Sequence, residues 1–103
     1  MEKDEFTVPL SAGLARKAAV EGLKQSGLGL RFVEDQGQAV VATTTASIRS
    51  FGETITVKVD PLDAGHSKIQ VRSASAAALI DWGKNADNVR RVKIAIRALT
   101  NAD

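Results

Sequence analysis

Apolar and polar residues alternate over Phe6-Thr7-Val8, and Leu10 continues the phase across Pro9, so the pattern predicts a short first strand ended by proline. Ser11 then stands where a helix N-cap belongs, and the period lengthens to that of a helix from Ala12 to Ser26. Leu14, Ala15, Ala18, Ala19, Gly22 and Leu23 form one stripe, with Arg16, Lys17, Val20, Glu21 and Lys24 mostly opposite. Side chains so small let a helix lie close to a sheet. Gly27 suits the left-handed position that ends such a helix.

Four further strands are predicted. Leu28, Leu30 and Phe32 alternate with Gly29, Arg31 and Val33, which puts Phe32, like Phe6, in the buried phase, before a turn at Asp35-Gln36-Gly37. From Gln38 to about Phe51 the positions Val40, Ala42, Thr44, Ala46 and Ile48 share one phase. That stretch is long for one strand, so a bulge or break is expected near Thr45–Ser47. Ile55, Val57 and Val59 alternate with Thr54, Thr56 and Lys58 over Glu53 to Asp60. Asp63-Ala64-Gly65 signals a hairpin, after which Ser67 to Ala74 sets Ile69 and Val71 against Lys68, Gln70 and Arg72.

Strands with one apolar and one polar face belong to an antiparallel sheet that is open to water on one side. The apolar side needs a cover. A second helix, Ala86 to Asn101, offers Val89, Val92, Ile96 and Leu99 at helical spacing, flanked by Ala95. The expected fold is therefore α+β: a two-layer β-α-β-β-β-β-α unit, an antiparallel sheet with both helices packed on one face, in a single domain over residues 1–103.

Composition narrows the chemistry. The chain has 103 residues, 44% hydrophobic and 25% charged, which is ordinary for a globular domain and unlike a disordered segment. No apolar run approaches the ~20 residues of a membrane-spanning helix. Cysteine is absent, which removes disulfides, thiolate nucleophiles and zinc–thiolate or iron–sulfur sites. The N-terminus, Met1-Glu2-Lys3-Asp4-Glu5-Phe6, is acidic and polar where a signal peptide would be basic and then apolar, so a cytoplasmic protein is expected. The net charge of +2 is unevenly spread, with Glu2, Asp4 and Glu5 at one end and Arg90, Arg91, Lys93 and Arg97 near the other. Those four basic residues can contact phosphates, or can form the solvated side of an amphipathic helix.

Candidate chemistry is sparse. The lone His66 follows Gly65 in a turn and has no second histidine or cysteine to complete a metal site. No carboxylates are paired at an informative spacing, and no serine stands in a nucleophile-elbow frame. Asp81-Trp82-Gly83-Lys84-Asn85 leads into the second helix and can build an anion site, because helix N-terminal N–H groups and a lysine attract phosphate or carboxylate. The alternative is structural: Trp82 anchors the loop, Gly83 supplies a special backbone angle, and Asn85 or Asp87 caps the helix. The polar sheet face, with Thr54, Thr56, Lys58, Lys68, Gln70, Arg72, Arg31, Thr43 and Thr45, lacks the aromatic platform on which single-stranded nucleic acids stack.

Two segments carry a resemblance: Ser50-Phe51-Gly52-Glu53-Thr54-Ile55-Thr56-Val57, and Arg72-Ser73-Ala74-Ser75 followed by Asp81-Trp82-Gly83-Lys84-Asn85 and Asn88-Val89. In these the chain resembles a family of small bacterial proteins of unknown function, over roughly residues 5 to 100. The resemblance implies a fold unit and no transferable chemistry. The element order also resembles the β-α-β(4)-α halves of TATA-binding proteins and, as a shorter cousin, helix-grip lipid-binding domains.

The function expected is that of a non-enzymatic ligand-binding or protein-interaction module, with no catalytic residues, no metal and no cofactor. Trp82, Lys84, Asn85, Arg72 and Arg49 are its candidate contacts. Its partner would be a small ligand or a protein, with no membrane, and the chain would be a monomer or a weak homo-oligomer. The alternative is a nucleic-acid-binding domain using Arg90, Arg91, Lys93 and Arg97. A helix-grip site would need an apolar cavity of at least ~300 Å³ between the last helix and the sheet.

Overall fold

The computed structural model describes residues 1–45, 52–75 and 83–100. Seven elements follow in the order β1 (Glu2–Val8), α1 (Ala12–Lys24), β2 (Leu30–Asp35), β3 (Ala39–Thr44), β4 (Glu53–Asp63), β5 (His66–Ser75) and α2 (Lys84–Thr100). The strands form one sheet in the order β1-β5-β4-β3-β2, antiparallel at every pairing. The α+β order β-α-β-β-β-β-α is the one read from the periodicities.

One face of the sheet is the core. Val8, Val40, Ala42, Ile55, Val57, Ile69 and Val71 are all fully buried on it. Their cross-strand partners continue the same face, Val40 opposite Val57 and Val57 opposite Val71, so the apolar stripe crosses three strands without a break. Both helices lie over this face. α1 packs on β2, β3 and β4 through Ala15, Ala19 and Leu23, and α2 packs on β5 and β1 through Val89, Val92 and Ile96. The opposite face carries Thr54, Lys58 and Arg72, all exposed.

The ends of α1 follow local chemistry. The Ser11 hydroxyl accepts from the Leu14 N–H at 3.5 Å as the N-cap. The helix stops at Lys24, two residues before the expected end. The Ser26 hydroxyl donates to the Leu23 carbonyl at 2.7 Å, and Gly27 takes a φ of 79°. At the β4–β5 turn, Asp63 pairs with His66 across Ala64-Gly65, the expected hairpin.

Five side chains take a direction other than the expected one. Phe32 is 48% exposed, because the β2–β3 register shifts between Leu30 and Phe32 and turns Phe32 onto the outer face beside Thr43. Leu30 keeps its expected inward side, and Val33, expected on the other phase, packs against the core in place of Phe32. Leu14 and Leu99 belong to the margins of their stripes and are exposed, while Val20 is drawn partly into the core. β1 also starts earlier than Phe6, since Glu2 to Glu5 pair with β5 although their side chains are polar. β3 ends at Thr44, next to the expected break; Ala46 and Ile48 lie outside the described residues.

The two helices meet at Gly22. A Cβ built there would stand 2.5 Å from Ile96 Cγ1 and 3.2 Å from the Ile96 backbone nitrogen. Replacing a helical glycine by alanine normally stabilises by about 0.8–1 kcal/mol. Here the clash includes backbone that cannot rotate away, and overpacking costs about 1–3 kcal/mol. Gly22→Ala is therefore expected to lower the stability measured by urea denaturation; an unchanged or raised midpoint would refute this close approach.

Candidate functional site

Two polar features converge on α2. The first is buried. Glu53 opens β4, Ser73 and Ser75 close β5, and Asn85 and Asn88 occupy the first turns of α2. Strand pairing places Glu53 opposite Ser75 and Ile55 opposite Ser73, so these residues share one end of the sheet. Glu53, Ser73, Asn85 and Asn88 are at most 1% exposed. The Ser73 hydroxyl donates to Asn85 Oδ1 at 2.7 Å and accepts from Asn88 Nδ2 at 3.1 Å. Asn88 Nδ2 also donates to Glu53 Oε1 at 2.9 Å, and Asn85 Nδ2 to the Ser75 hydroxyl at 3.0 Å. The Glu53 N–H donates to Thr44 Oγ1 at 2.8 Å, which joins β3 to the set.

A polar group removed from water costs free energy unless it is hydrogen-bonded, and these groups largely satisfy one another. Asn88 Oδ1 is the exception, buried with no hydrogen-bond partner among the described residues. The residues come from both segments on which the family resemblance was drawn. Glu53 and Asn88 were legible there as motif members, but strand and helix periodicity alone marked neither as a partner of the other.

The second feature is a groove of about 500 Å³ between α2 and the edge strand β1. Glu2, Lys3 and Asp4 form its strand side. The helix side presents Ala86, Val89, Arg90, Lys93, Ile94 and Arg97, which recur every three or four residues and so share one side of the helix. Ile94 is 56% exposed. Lys93 Nζ lies 2.6 Å from Asp4 Oδ2 and 5.8 Å from the centre of the Phe6 ring, and the Arg97 guanidinium carbon is also 5.8 Å from that centre. The hydrogen bond from Lys93 is the main reason the Asp4 carboxyl sits below its ordinary pKa.

The anticipated contacts are placed as follows. Asn85 points inward into the buried set rather than towards solvent, and it does not cap the helix. That place falls to Gly83, with a φ of 72° and its carbonyl accepting from the Asp87 N–H at 3.0 Å. Lys84 is half-buried in the first turn. Arg72 lies on the open face of the sheet, away from Asn85. Arg49 and Trp82, with Asp81, lie outside the described residues.

Of the four α2 residues expected to contact phosphate, Arg90 and Arg91 both bind Asp87, at 2.6 and 2.8 Å, and Lys93 binds Asp4. The hydrogen bond from Arg90, with help from Arg91, holds the Asp87 carboxyl low. Phosphates would have to compete with these bonds for the same cations. His66 Nδ1 lies 2.9 Å from Asp63 Oδ1 at the exposed hairpin tip. The Gly65 N–H is the larger cause of the lowered Asp63 pKa, ahead of His66. Among the described residues no group of three or more His, Cys, Asp or Glu side chains is placed to hold a metal ion, and no helix is long and apolar enough to cross a membrane.

Two outcomes follow. Glu53→Ala strips the buried Asn88 amide of an acceptor and is expected to cost about 2–4 kcal/mol in urea unfolding, whereas Glu53→Gln, which retains a carbonyl acceptor, costs less. Equal losses for the two variants would show that the hydrogen bond is not what matters. A lowered carboxyl pKa stabilises the fold above the ordinary value of 3.8, and that stabilisation disappears as pH falls through the lowered value. The wild-type melting temperature should thus exceed that of Asp4→Asn at pH 7, with the gap closing as the pH is taken well below the ordinary carboxyl value of 3.8. A gap that persists in acid would contradict the Asp4–Lys93 link.

No curated protein matches the chain. In fold it is similar to the di-domain ARO/CYC StfQ from the steffimycin biosynthetic pathway, with 11% identity and a TM-score of 0.54 over 97% of this chain. It is also similar to Ara h 8.0201, with 14% identity and a TM-score of 0.51, covering 99% of this chain and 97% of that one. The chain spans 45% of the length of StfQ. Identities this low establish a shared fold and leave function open. Residues 2–96 match the family described as "Protein of unknown function (DUF1499)", and the chain belongs to that family.

Proposed function

We propose that the chain is a non-enzymatic module that binds a small, partly apolar organic molecule in the groove between α2 and β1. The observation that carries this reading is the groove itself. Its volume of about 500 Å³ falls within the roughly 300–1,000 Å³ of small-molecule sites. Its composition suits such a ligand, with Ala86, Val89 and Ile94 beside cations that can fix orientation. The fold shared with StfQ, a protein of a biosynthetic pathway, is compatible with a small-molecule partner. The buried set at Glu53 and Asn88 serves this reading as scaffold, because it anchors the start of the helix that forms one wall.

Three eight-carbon probes test the proposal without presuming a charge: octan-1-ol, octanoate and octyltrimethylammonium. Amide chemical shifts are followed during titration. At least one probe should perturb residues 2–4 and 86–97 together, and Ala86→Trp, which fills the groove, should suppress that response. Silence from all three probes, or shifts unaffected by Ala86→Trp, would overturn the reading.

A further inference from the structure

We infer that the ligand of this groove is a monocarboxylate with an apolar body, its carboxylate held by Arg97; this rests on the reading that the groove binds a small molecule. Of the three groove cations on α2, two are already committed, and the fourth groove cation, Lys3, stands on β1 beside Glu2. Arg90 is held by Asp87 at 2.6 Å and Lys93 by Asp4 at 2.6 Å. Arg97 makes no ion pair among the described residues. Its guanidinium faces the Phe6 ring, which supports the cation from one side and leaves its N–H fork available to another partner.

Charge sets the ligand class. Lys93 and Arg97 share the Phe6 ring as two positive charges, and Asp4 supplies one negative, which leaves a surplus of one. Glu2 and Lys3, also at the groove, cancel, and Arg90, farther along the helix, shares the single Asp87 carboxylate with Arg91, so the surplus of one is that of the Phe6 end of the groove. One carboxylate neutralises the surplus, and its two oxygens match the planar fork of an arginine. A phosphate dianion would exceed the surplus at the Phe6 end, and would face the Asp4 and Glu2 carboxylates across the same space. A cationic head would meet Arg97 directly.

Geometry sets the rest. Ile94 lies three residues before Arg97 and Ala86 eleven before it, so the apolar positions extend from the head site about 16 Å along the helix. An eight-carbon chain fits within that length, with its tail over Ile94 and towards Val89 and Ala86. The half-exposed isoleucine thereby acquires a role.

The test ranks the same probes on wild type, Arg97→Gln and Arg97→Lys, with each variant's fold checked by its amide spectrum. Octanoate should bind at least about tenfold more tightly than octan-1-ol, and octyltrimethylammonium most weakly. Arg97→Gln should remove most of the octanoate advantage and leave octan-1-ol unchanged. Arg97→Lys, which keeps the charge but loses the fork, should fall between. If octan-1-ol binds as tightly as octanoate, or Arg97→Gln leaves octanoate untouched, the carboxylate assignment is wrong while the groove remains a binding site. If no probe reaches the groove, the binding reading fails and takes this inference with it.

Discussion

A sheet with one apolar face has to be covered, and the dimensions of helices and strands dictate how. Five strands at about 4.8 Å spacing place the outer two roughly 19 Å apart, and a helix with its side chains is about 10–12 Å across. Two helices suffice only if they lie side by side without a gap. The small stripe of α1 makes that possible, with Ala15 and Ala19 turned to the core and Gly22 against Ile96. The same arithmetic leaves the rim thinly covered. At β1, Val8 is fully buried and Phe6 partly, while Glu2 is exposed and Asp4 half-buried. The groove lies where the cover runs out.

The polar end of the sheet answers a different constraint. Where β3, β4 and β5 stop, the inward positions fall to Thr44, Glu53 and Ser73 rather than to valine or isoleucine. Apolar packing is tolerant of small slides along a strand, whereas a carboxylate that must meet Asn88, and a serine that must meet both Asn85 and Asn88, fix the position of α2 relative to the sheet. Buried polar sets are costly when a member is missing. Here the return is register: the helix that walls the groove is pinned at its start by directional bonds and along its length by Val89, Val92 and Ile96.

Much of this architecture was legible in the order of residues. The alternation in β4 and β5, the centres of the helical stripes and the Asp63-Ala64-Gly65 turn each rest on a local rule that survived packing, while the stripe margins at Leu14, Val20 and Leu99 did not. What was not legible depended on pairing between distant segments. The phase of Phe32 turned on an irregularity against β3, which strand periodicity cannot reveal. The inward turn of Asn85 depended on Ser73 and Ser75, ten or more residues away in the chain, where a helix start had suggested a cap. The groove was harder still, since its walls, residues 2–4 and 86–97, are more than eighty residues apart in sequence. The acidic start and the basic end of the chain were both visible, but as separate charge runs rather than as the Asp4–Lys93 pair.

That pair bears on what α2 can do. Arginines and lysines on a helix attract phosphate when their charge is uncompensated. On α2 the compensation is partial and comes from the fold itself, with Asp87 shared between Arg90 and Arg91 and Asp4 of β1 on Lys93. Binding a phosphate backbone there would set the anion against the contact that ties β1 to the helix. A single carboxylate entering beside Arg97 breaks no such contact, and it meets the groove cation of α2 that Asp4 and Asp87 leave without an ion pair among the described residues. The charge arrangement of α2 therefore favours a small anion at the groove over a polyanion along the helix, because only the first leaves the fold's own ion pairs in place.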